Sequence, residues 1–293
     1  MPTVRLWSRT PGHIRPHAGK AWSNWWRRMT PHADGRWGAL EMVSPECDAD
    51  WTVVINHVDS GMKERLDRKR TIVLQTEPRA VRKGQWGEWC DPEDKGWAAT
   101  WTITKHHFPV DWYLSSTYGE LYSMNPRAGR FRTISACQTA KIRLVGHKYR
   151  HRFVLKHLSQ YRNFDLFGPE QKLSCWQDQP PSRAKDVALF PYKYHFCAEN
   201  SWEKHYWSEK LSDAFLAECL PLYWGCPDAE DFFPPESFVR VPIEHPEEAM
   251  EIVLKTIRDN EWEKRLKAIR EAKRRVMDQY QAWAVIGRLI AQL

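Results

Sequence analysis

Apolar runs alternate with amphipathic segments along this chain, and the alternation predicts the fold class. Short runs rich in Val, Ile, Thr and aromatic residues, each closed by polar or turn residues, predict buried strands. They lie within residues 48–59, 70–78, 97–104, 131–137, 163–168, 192–200 and 219–225. Apolar residues at helical spacing predict helices that begin near Gly146, at Ser208 and at Pro246. Strands that alternate with helices form parallel sheets, so we expect an α/β architecture.

The alternation becomes more regular part-way along the chain. The first half is rich in strands with long polar loops, whereas regular β-α units follow from about residue 131. A chain of 293 residues also reaches the size, about 250–300 residues, at which a single core usually divides. We therefore predict two Rossmann-like domains, residues 1–128 and 129–275, that face each other across a cleft. A C-terminal helix over residues 276–293 is expected to pack back on the first domain.

The distribution of charge narrows the choice of partner. The formal net charge of +7 favours an anionic partner, which includes nucleic acid, a membrane surface and a phosphorylated small molecule. Residues 131–158 contain seven Lys and Arg residues and no Asp or Glu. Such a local cluster favours one binding site over a general polyanion coat. The aromatic residues do not follow a known nucleic-acid recognition module, so no nucleic-acid partner is expected.

Cysteine usage and hydropathy predict the compartment. The chain has seven Cys residues at wide spacings and no CxxC pair, which predicts reduced thiols rather than a disulfide framework. The N-terminal residues contain no apolar core of a signal peptide, and no run approaches the ~18 apolar residues of a membrane span. We expect a soluble, cytoplasmic protein whose membrane contact is at most peripheral.

The segment from Glu199 to Gly225 carries the first chemical signal. Ser208 can cap a helix, which puts Glu209 and Lys210 in the first turn, where free amides and the helix dipole attract anions. A cation there is mildly unfavourable for the helix itself, so Lys210 indicates a phosphate ligand. A lysine that points into water is the simpler alternative.

Strand ends and the basic cluster carry further signals. Glu199 and Asn200 end one predicted strand and Tyr223 ends the next, at the edge where ligands bind doubly wound sheets. An ordinary turn and core packing explain Asn200 and Tyr223 equally well. Lys148 and Arg150 are candidates for binding a diphosphate, although a solvated basic helix face is as good an interpretation.

Glu77 is the candidate general base. It follows the predicted strand that ends near Gln75 and precedes Pro78, so its carboxylate lies at the carboxyl end of a strand. A carboxylate in that position can take a proton from a substrate. A surface turn residue is the alternative.

The ordered pieces of the second half resemble one enzyme family. "FCAENSWEKHYWSEKLSDAFLAECLPLYWGCPDAEDFFPPESFV" resembles the donor-binding region of the α-1,3-fucosyltransferases, glycosyltransferase family ten. The matching pieces are "ENS", "YWSEKL", "PLYWG" and the "DF" to "SF" tail. "GHKYRHRFVLKHL" followed by "FDLFG", and "LQTEPRAV" in the first half, are similar to other segments of that family.

The resemblance implies a fold and a reaction. It implies a GT-B fold with an acceptor-side first domain and a donor-binding second domain. It also implies inverting transfer of L-fucose from GDP-fucose to a glycan hydroxyl, with no cofactor and no obligatory metal. Glu77 would be the catalytic base. The donor-binding residues would be Lys148, Arg150, Glu199, Asn200, Tyr206, Ser208, Glu209, Lys210 and Tyr223.

Three departures from the family pattern leave alternatives open. Trp207 stands where the family has a small β-branched residue, Ser208 replaces Thr, and Glu218 replaces Gly. Trp207 raises the alternative of a different nucleotide sugar, and Glu218 is expected to be solvated at a helix end. A non-catalytic glycan-binding or nucleic-acid-binding protein is the remaining alternative. The short chain favours a bacterial or viral origin.

Overall fold

The chain folds into two compact units of the predicted α/β class. The computed structural model describes residues 1–8, 26–82, 86–125, 129–139, 141–168 and 181–293. Unit 1 contains Met1–Asp111, Ser116–Ser123 and Asp278–Leu293, and unit 2 contains Trp112–Ser115 and Met124–Met277. The α/β organisation in two Rossmann-like units is therefore confirmed. The roles given to the two domains stay predictions.

Strands and helices alternate through both units. The strands are β1 Thr3–Trp7, β2 Arg36–Trp37, β3 Leu40–Met42, β4 Trp51–Ile55, β5 Thr71–Leu74, β6 Ala99–Trp101, β7 Arg132–Cys137, β8 Phe164–Phe167, β9 Tyr192–Ala198, β10 Leu220–Trp224 and β11 Val239–Arg240. The helices are α1 Ser60–Lys63, α2 Arg79–Arg82, α3 Tyr118–Ser123, α4 Val145–Lys156, α5 Pro181–Leu189, α6 Glu209–Leu216, α7 Pro246–Arg258, α8 Glu261–Arg275 and α9 Ala282–Ala291. Each strand run read from the sequence corresponds to one of these strands.

Unit 1 is built on a six-stranded sheet in the order β2-β3-β1-β4-β5-β6. All neighbours are parallel except the β2–β3 pair. Strand β1, which the sequence analysis missed, lies in the middle of this sheet, and Val4 and Leu6 in it are fully buried. The run is only five residues long and contains Arg5, so its apolar pattern is weak. Asp50 accepts hydrogen bonds from the amide and hydroxyl of Thr3, which fixes β1 beside β4.

The C-terminal helix α9 is part of unit 1. Trp283 packs edge-to-face on Trp26, with ring centroids 5.9 Å apart. Its indole donates to the Trp26 carbonyl at 3.0 Å. The Ala282 amide donates to the Val110 carbonyl at 2.9 Å. Burial of a large aromatic with its N–H satisfied stabilises this attachment.

Unit 2 is built on a five-stranded parallel sheet in the order β11-β10-β9-β7-β8. Strand β9 is buried along nearly its whole length, as expected for a strand covered on both faces. On one face Phe153 of α4 packs against Phe196 of β9, with centroids 5.2 Å apart. Helix α6 buries Leu211, Ala214 and Phe215, the inner face predicted from the sequence.

The expectation that Glu218 is solvated is wrong. Glu218 follows α6 in the left-handed conformation (φ 58°), and it is buried with 3% of its surface exposed. Its amide donates to the Phe215 carbonyl and the Cys219 amide donates to the Ala214 carbonyl, which closes the helix in a Schellman motif. Its carboxylate lies 2.6 Å from Lys273 Nζ, so a buried ion pair ties α6 to α8.

Candidate functional site

The carboxyl ends of three strands meet at one edge of the unit 2 sheet. Strands β7, β9 and β10 are parallel neighbours, so their last residues lie along the same edge. Strand β8 lies on one side of β7 and β9 on the other, which makes the β7–β9 boundary a topological switch point. Ligands of doubly wound sheets bind at such a boundary. The predicted donor-binding residues follow β9, lie near the end of β10, or lie on α4 and α6.

Helix α6 begins with a hydrogen-bond network around Ser208. The Ser208 side chain accepts from the Lys210 amide and caps the helix. Its hydroxyl and amide donate to the Glu199 carboxylate at 2.6 and 2.7 Å. Glu199 is fully buried. These bonds hold the carboxylate at the end of β9 against the start of the helix.

Lys210 lies in the first turn of α6, close to two carboxylates. Its Nζ atom is 3.1 Å from Ser208 Oγ, 3.1 Å from Glu209 Oε1 and 3.6 Å from Glu199 Oε2. Glu209 compensates for a cation at the positive end of a helix. The Lys210 side chain keeps 22% of its surface exposed and Glu209 keeps 21%. Both charges are therefore held in place and still accessible from solvent.

The two glutamates differ in their titration. Burial raises the pKa of Glu199, and the nearby Lys210 charge opposes the rise. Burial also opposes ionisation of Glu209, but the charges of Lys210 and Lys185 outweigh it and lower the pKa of Glu209 to about 2. Glu209 is thus an anion at every physiological pH. An ionised carboxylate beside an ammonium can bind ligand hydroxyls and phosphate oxygens together.

Arg150 and Lys148 occupy different environments on α4. Arg150 is buried and donates from Nη1 to the Ala198 carbonyl at 2.7 Å. Burial lowers its pKa, and the Glu199 carboxylate opposes this. Arg150 is therefore a fixed cation beneath the end of β9. Lys148 is exposed on the surface of α4.

Gly146 and His147 bring α4 against the end of β9, and sequence reasoning missed both contacts. A Cβ atom on Gly146 would lie 2.2 Å from the Glu199 carbonyl oxygen, so this approach requires glycine. His147 Nε2 pairs with Asn200 Oδ1 at 2.9 Å, and the Leu144 amide donates to Nδ1. Burial and the Arg150 charge lower the pKa of His147 to about 4. The imidazole is therefore neutral, and its Nε2–H donates to Asn200.

Tyr206 and Tyr223 are buried, as Glu199 and Ser208 are. Tyr206 has 2% of its surface exposed and Tyr223 has none. The Tyr223 hydroxyl accepts from the Cys226 amide at 2.9 Å. Gly225 (φ 155°) has no room for a side chain, because a Cβ atom there would lie 2.4 Å from Glu199 Cγ. Tyr223 and Gly225 thus pack close to the Glu199 side chain and help to fix its position.

A buried ion pair lies close behind the network, and nothing in the sequence pattern indicated it. Lys185 of α5 and Asp213 of α6 pair at 2.5 Å, and Asp213 also accepts from the Tyr113 amide. Burial raises the pKa of Asp213 to about 6. The Asp213 and Glu209 carboxylates raise the pKa of Lys185 although burial opposes them. Lys185 therefore remains charged and contributes to the low pKa of Glu209.

Trp207, the departure that raised the alternative of another donor, lies in the core. It has no exposed surface and packs against Phe233 and Phe232, with centroids 4.7 and 5.9 Å apart. Both phenylalanines belong to the loop that follows β10, so this loop accommodates the larger side chain of Trp207.

Glu77 belongs to unit 1, where it follows β5. The turn before it is fixed by Asn56, whose side chain accepts from the Thr76 amide at 2.7 Å and donates to the Thr76 hydroxyl at 2.8 Å. Glu77 itself is half-buried. Its backbone position at the carboxyl edge of the unit 1 sheet is the one predicted from the sequence.

The described residues contain neither a metal-binding cluster nor a membrane-spanning helix. Among the residues that the structure describes, no group of three or more His, Cys, Asp or Glu side chains is placed to hold a metal ion. Within the same described ranges, no helix is both long enough and apolar enough to cross a membrane. Metal independence and location stay predictions.

The sequence of unit 2 matches a known family. Residues 131–273 match the model for glycosyltransferase family 10 (fucosyltransferase), C-terminal. The matched region includes β7 to β11 and the whole network around Ser208. Residues 131–273, just under half of the chain, are therefore similar to the C-terminal domain of glycosyltransferase family 10.

Other similar proteins match a shorter stretch of the chain or match its structure at low sequence identity. A stretch of 57 residues is 40% identical to the alpha-(1,3)-fucosyltransferase FucT of Helicobacter pylori, which is 20% of this chain and 12% of that protein. A crystal structure of an alpha1,3-fucosyltransferase with GDP-fucose aligns with a TM-score of 0.47 and 14% identity, over 99% of this chain and 89% of the other. A structure of an alpha1,3-fucosyltransferase with GDP aligns with a TM-score of 0.45 and 12% identity, over 96% and 92% of the two chains.

Proposed function

We propose that this protein transfers L-fucose from GDP-fucose to a hydroxyl of an acceptor glycan, with inversion at the anomeric carbon and without an obligatory metal ion. The observation that carries the proposal is Lys210. Its amine is fixed by Ser208 and Glu209 yet accessible, at the start of a helix, inside the region that matches family 10. A helix start with an adjacent ammonium suits the diphosphate of a nucleotide sugar.

The donor would be held by groups of unit 2. Lys210 binds the diphosphate, and the buried Arg150 adds a positive potential from beneath β9. Lys148, exposed on α4, meets the outer phosphate oxygens. Glu209, ionised and accessible, accepts hydrogen bonds from a ribose or fucose hydroxyl. Glu199, Asn200, Tyr206, Ser208 and Tyr223 shape this site by holding the strand ends and the helix start in place.

The chemistry would be a single displacement. The acceptor hydroxyl oxygen forms a bond to the anomeric carbon, and the bond from that carbon to the diphosphate oxygen breaks. Glu77 takes the hydroxyl proton, and GDP departs with the bonding electron pair. The sugar passes through an oxocarbenium-like state. Lys210 and Arg150 stabilise the charge that develops on the diphosphate, the task that a metal ion performs elsewhere.

GDP-fucose is favoured over another nucleotide sugar for a structural reason. The alternative donor depended on Trp207, and Trp207 is buried against Phe233. A side chain in the core does not alter the accessible surface around Lys210. We also propose a cytoplasmic location, because the described Cys residues are free thiols, as in a reducing compartment.

Transfer assays with purified protein test the proposal. We expect fucose transfer from GDP-fucose to a glycan array, retained in excess EDTA, with a product of inverted anomeric configuration by NMR. Glu77→Gln should reduce kcat at least 100-fold because the base is lost, whereas Glu64→Gln, at an exposed position of unit 1, should have no effect. Transfer from a UDP-sugar instead, or activity that EDTA abolishes, would contradict the proposed donor or the metal independence.

A further inference from the structure

Trp202 is an exposed indole in the loop that carries the donor network. It lies between Asn200 and Ser208, and 51% of its surface is exposed. The other large aromatic residues of this loop, Tyr206 and Trp207, are buried. A single exposed aromatic ring is common on a protein surface, so its packing and its neighbours decide whether it can hold a ligand.

The ring is supported by the buried Trp224 and, behind it, by the half-buried Tyr149. Trp202 packs at a tilt on Trp224, with centroids 5.4 Å apart, and Tyr149 of α4 packs edge-on against Trp224 at 6.0 Å. Trp224 is buried, and its indole donates to Glu244 Oε2 at 2.7 Å. The supporting ring is thus fixed in orientation, and a ligand that stacks on Trp202 loses little side-chain entropy.

The aromatic residues that support Trp202 are connected through Gly225 to the proposed diphosphate site. Trp224 is followed by Gly225, whose Cα approaches the Glu199 side chain so closely that a Cβ atom would lie 2.4 Å from Glu199 Cγ. Glu199 in turn lies 3.6 Å from Lys210 Nζ. Ser201, directly before Trp202, has a buried hydroxyl that makes no hydrogen bond with the described residues. The accessible Trp202 ring is therefore connected through Trp224 and Gly225 to the buried carboxylate that lies beside the accessible ammonium of Lys210.

We propose that Trp202 is a stacking platform for the nucleobase of the bound nucleoside diphosphate. The inference rests on the proposed function in one respect, that a diphosphate binds at Lys210. A nucleobase is tethered to that diphosphate through its ribose and presents a flat ring to the indole. Stacking accepts any base because every base has a π face. Trp202 would thus add affinity for the nucleotide without selecting guanine, and guanine selection must come from other groups.

Calorimetric titration with GDP, UDP and inorganic pyrophosphate tests the proposal. We expect Trp202→Ala to weaken GDP and UDP binding by about 5- to 150-fold, the range of one base–aromatic stack, and to leave pyrophosphate binding unchanged. Trp202→Phe should retain most of the affinity. Phe131→Ala is the matched control, because Phe131 is exposed (76%) directly before β7, at the opposite edge of the same sheet.

The other possible results of these titrations each have a distinct meaning. Unchanged GDP binding by Trp202→Ala would overturn the proposal, and so would an equal loss for GDP and pyrophosphate, which indicates a structural role. If the wild-type protein binds UDP more tightly than GDP, GDP-fucose is not the donor. The effect of Trp202→Ala on UDP binding then tests the stacking proposal. If it binds pyrophosphate as tightly as GDP, the base adds no affinity. The stacking proposal is then wrong, while the anion site is supported. If it binds none of the three ligands, both proposals fall.

Discussion

The two ends of helix α6 each hold a Lys–Glu pair, and the pairs differ in access to solvent. At the C-terminal end, Glu218 and Lys273 keep 4% and 5% of their side-chain surfaces exposed. At the N-terminal end, Glu199 is fully buried while Lys210 keeps 22% exposed. A sealed pair can only contribute to the fold, whereas an open pair can exchange its partner for a ligand. The same residue types therefore stabilise the fold at one end and, as we propose, bind the donor at the other.

The energetic reasoning also differs between the two pairs. A sealed pair has given up the hydration of both ions, so removal of one partner leaves a buried charge without compensation. The accessible Lys210 keeps part of its hydration and has three polar neighbours. When Lys210 is removed, Glu199 keeps the two hydrogen bonds from Ser208 and the nearby charge of Arg150. The cost in folding should therefore be small, although charge is lost from the proposed diphosphate site. Variants at the two ends of α6 should therefore separate stability from activity.

The largest effect on stability is expected for Lys273→Met. The variant should lower the free energy of unfolding by about 3–5 kcal/mol, because Glu218 remains buried while its ion-pair partner Arg270 is half-exposed. Urea unfolding followed by tryptophan fluorescence measures it. Lys267→Met is the control, because Lys267 is exposed on the same helix, and it should change stability by less than about 0.5 kcal/mol. Equal effects of both variants would contradict the difference in burial.

The largest effect on activity is expected for Lys210→Ala. We expect kcat/KM for GDP-fucose to fall roughly 30- to 1000-fold, equivalent to about 2–4 kcal/mol of transition-state stabilisation. The free energy of unfolding should change by less than about 1 kcal/mol. Lys204→Ala, at an exposed position of the same loop, should leave both quantities unchanged. A large loss of stability in Lys210→Ala would mean that the open pair is structural as well.

A smaller effect is expected from pH through the buried His195. Burial lowers the pKa of His195 to about 3, and its ring contacts Ser135 Oγ at 2.8 Å. Below pH 6.5 the unfolded chain binds a proton that the folded chain does not, so stability falls as the pH falls. This histidine should cost about 2 kcal/mol at pH 5 relative to pH 8. His195→Asn should reduce the pH dependence by that amount in urea titrations, and an unchanged pH dependence would refute the assignment.

The smallest effect is expected when both members of the sealed pair are removed together. Glu218→Gly combined with Lys273→Met leaves neither ion buried alone, and glycine suits the left-handed φ of 58°. The double variant should lie within about 1 kcal/mol of the wild type, far from the sum of the single losses. Additive losses in unfolding experiments would show that the pair does not act as a unit.

Strands that are strongly apolar could be predicted from the sequence, and weaker elements could not. The runs around β4, β5, β7, β9 and β10 are β-branched or aromatic and were recognised by composition alone. Strand β1 is central in its sheet but has a polar residue at its middle. Helix α5 was missed because it begins at a Pro180–Pro181 pair and its residues show no clear apolar face. In both elements, packing against the rest of the fold decides the structure more than the local sequence pattern does.

The candidate site was predictable where its contacts are local in the sequence. The Ser208 cap and the neighbouring Lys210 follow from helix-start chemistry within three residues. The contact between His147 and Asn200 joins residues 53 apart, and the Lys185–Asp213 pair joins residues 28 apart. Such contacts depend on how strands are ordered in the sheet. The glycine at Gly146 was the one signal available, because it marks a close approach of two backbones.

The most direct test measures stabilisation by GDP in three proteins: the wild type, Lys210→Ala and Lys273→Met. A ligand at 100 times its dissociation constant adds about 2.7 kcal/mol to the free energy of unfolding. The account predicts that Lys273→Met is less stable without ligand but gains the full increment from GDP. Lys210→Ala should keep its stability without ligand and lose most of the increment. The reverse pattern, or full stabilisation of Lys210→Ala by GDP, would contradict the claim that the open end of α6 binds the donor diphosphate.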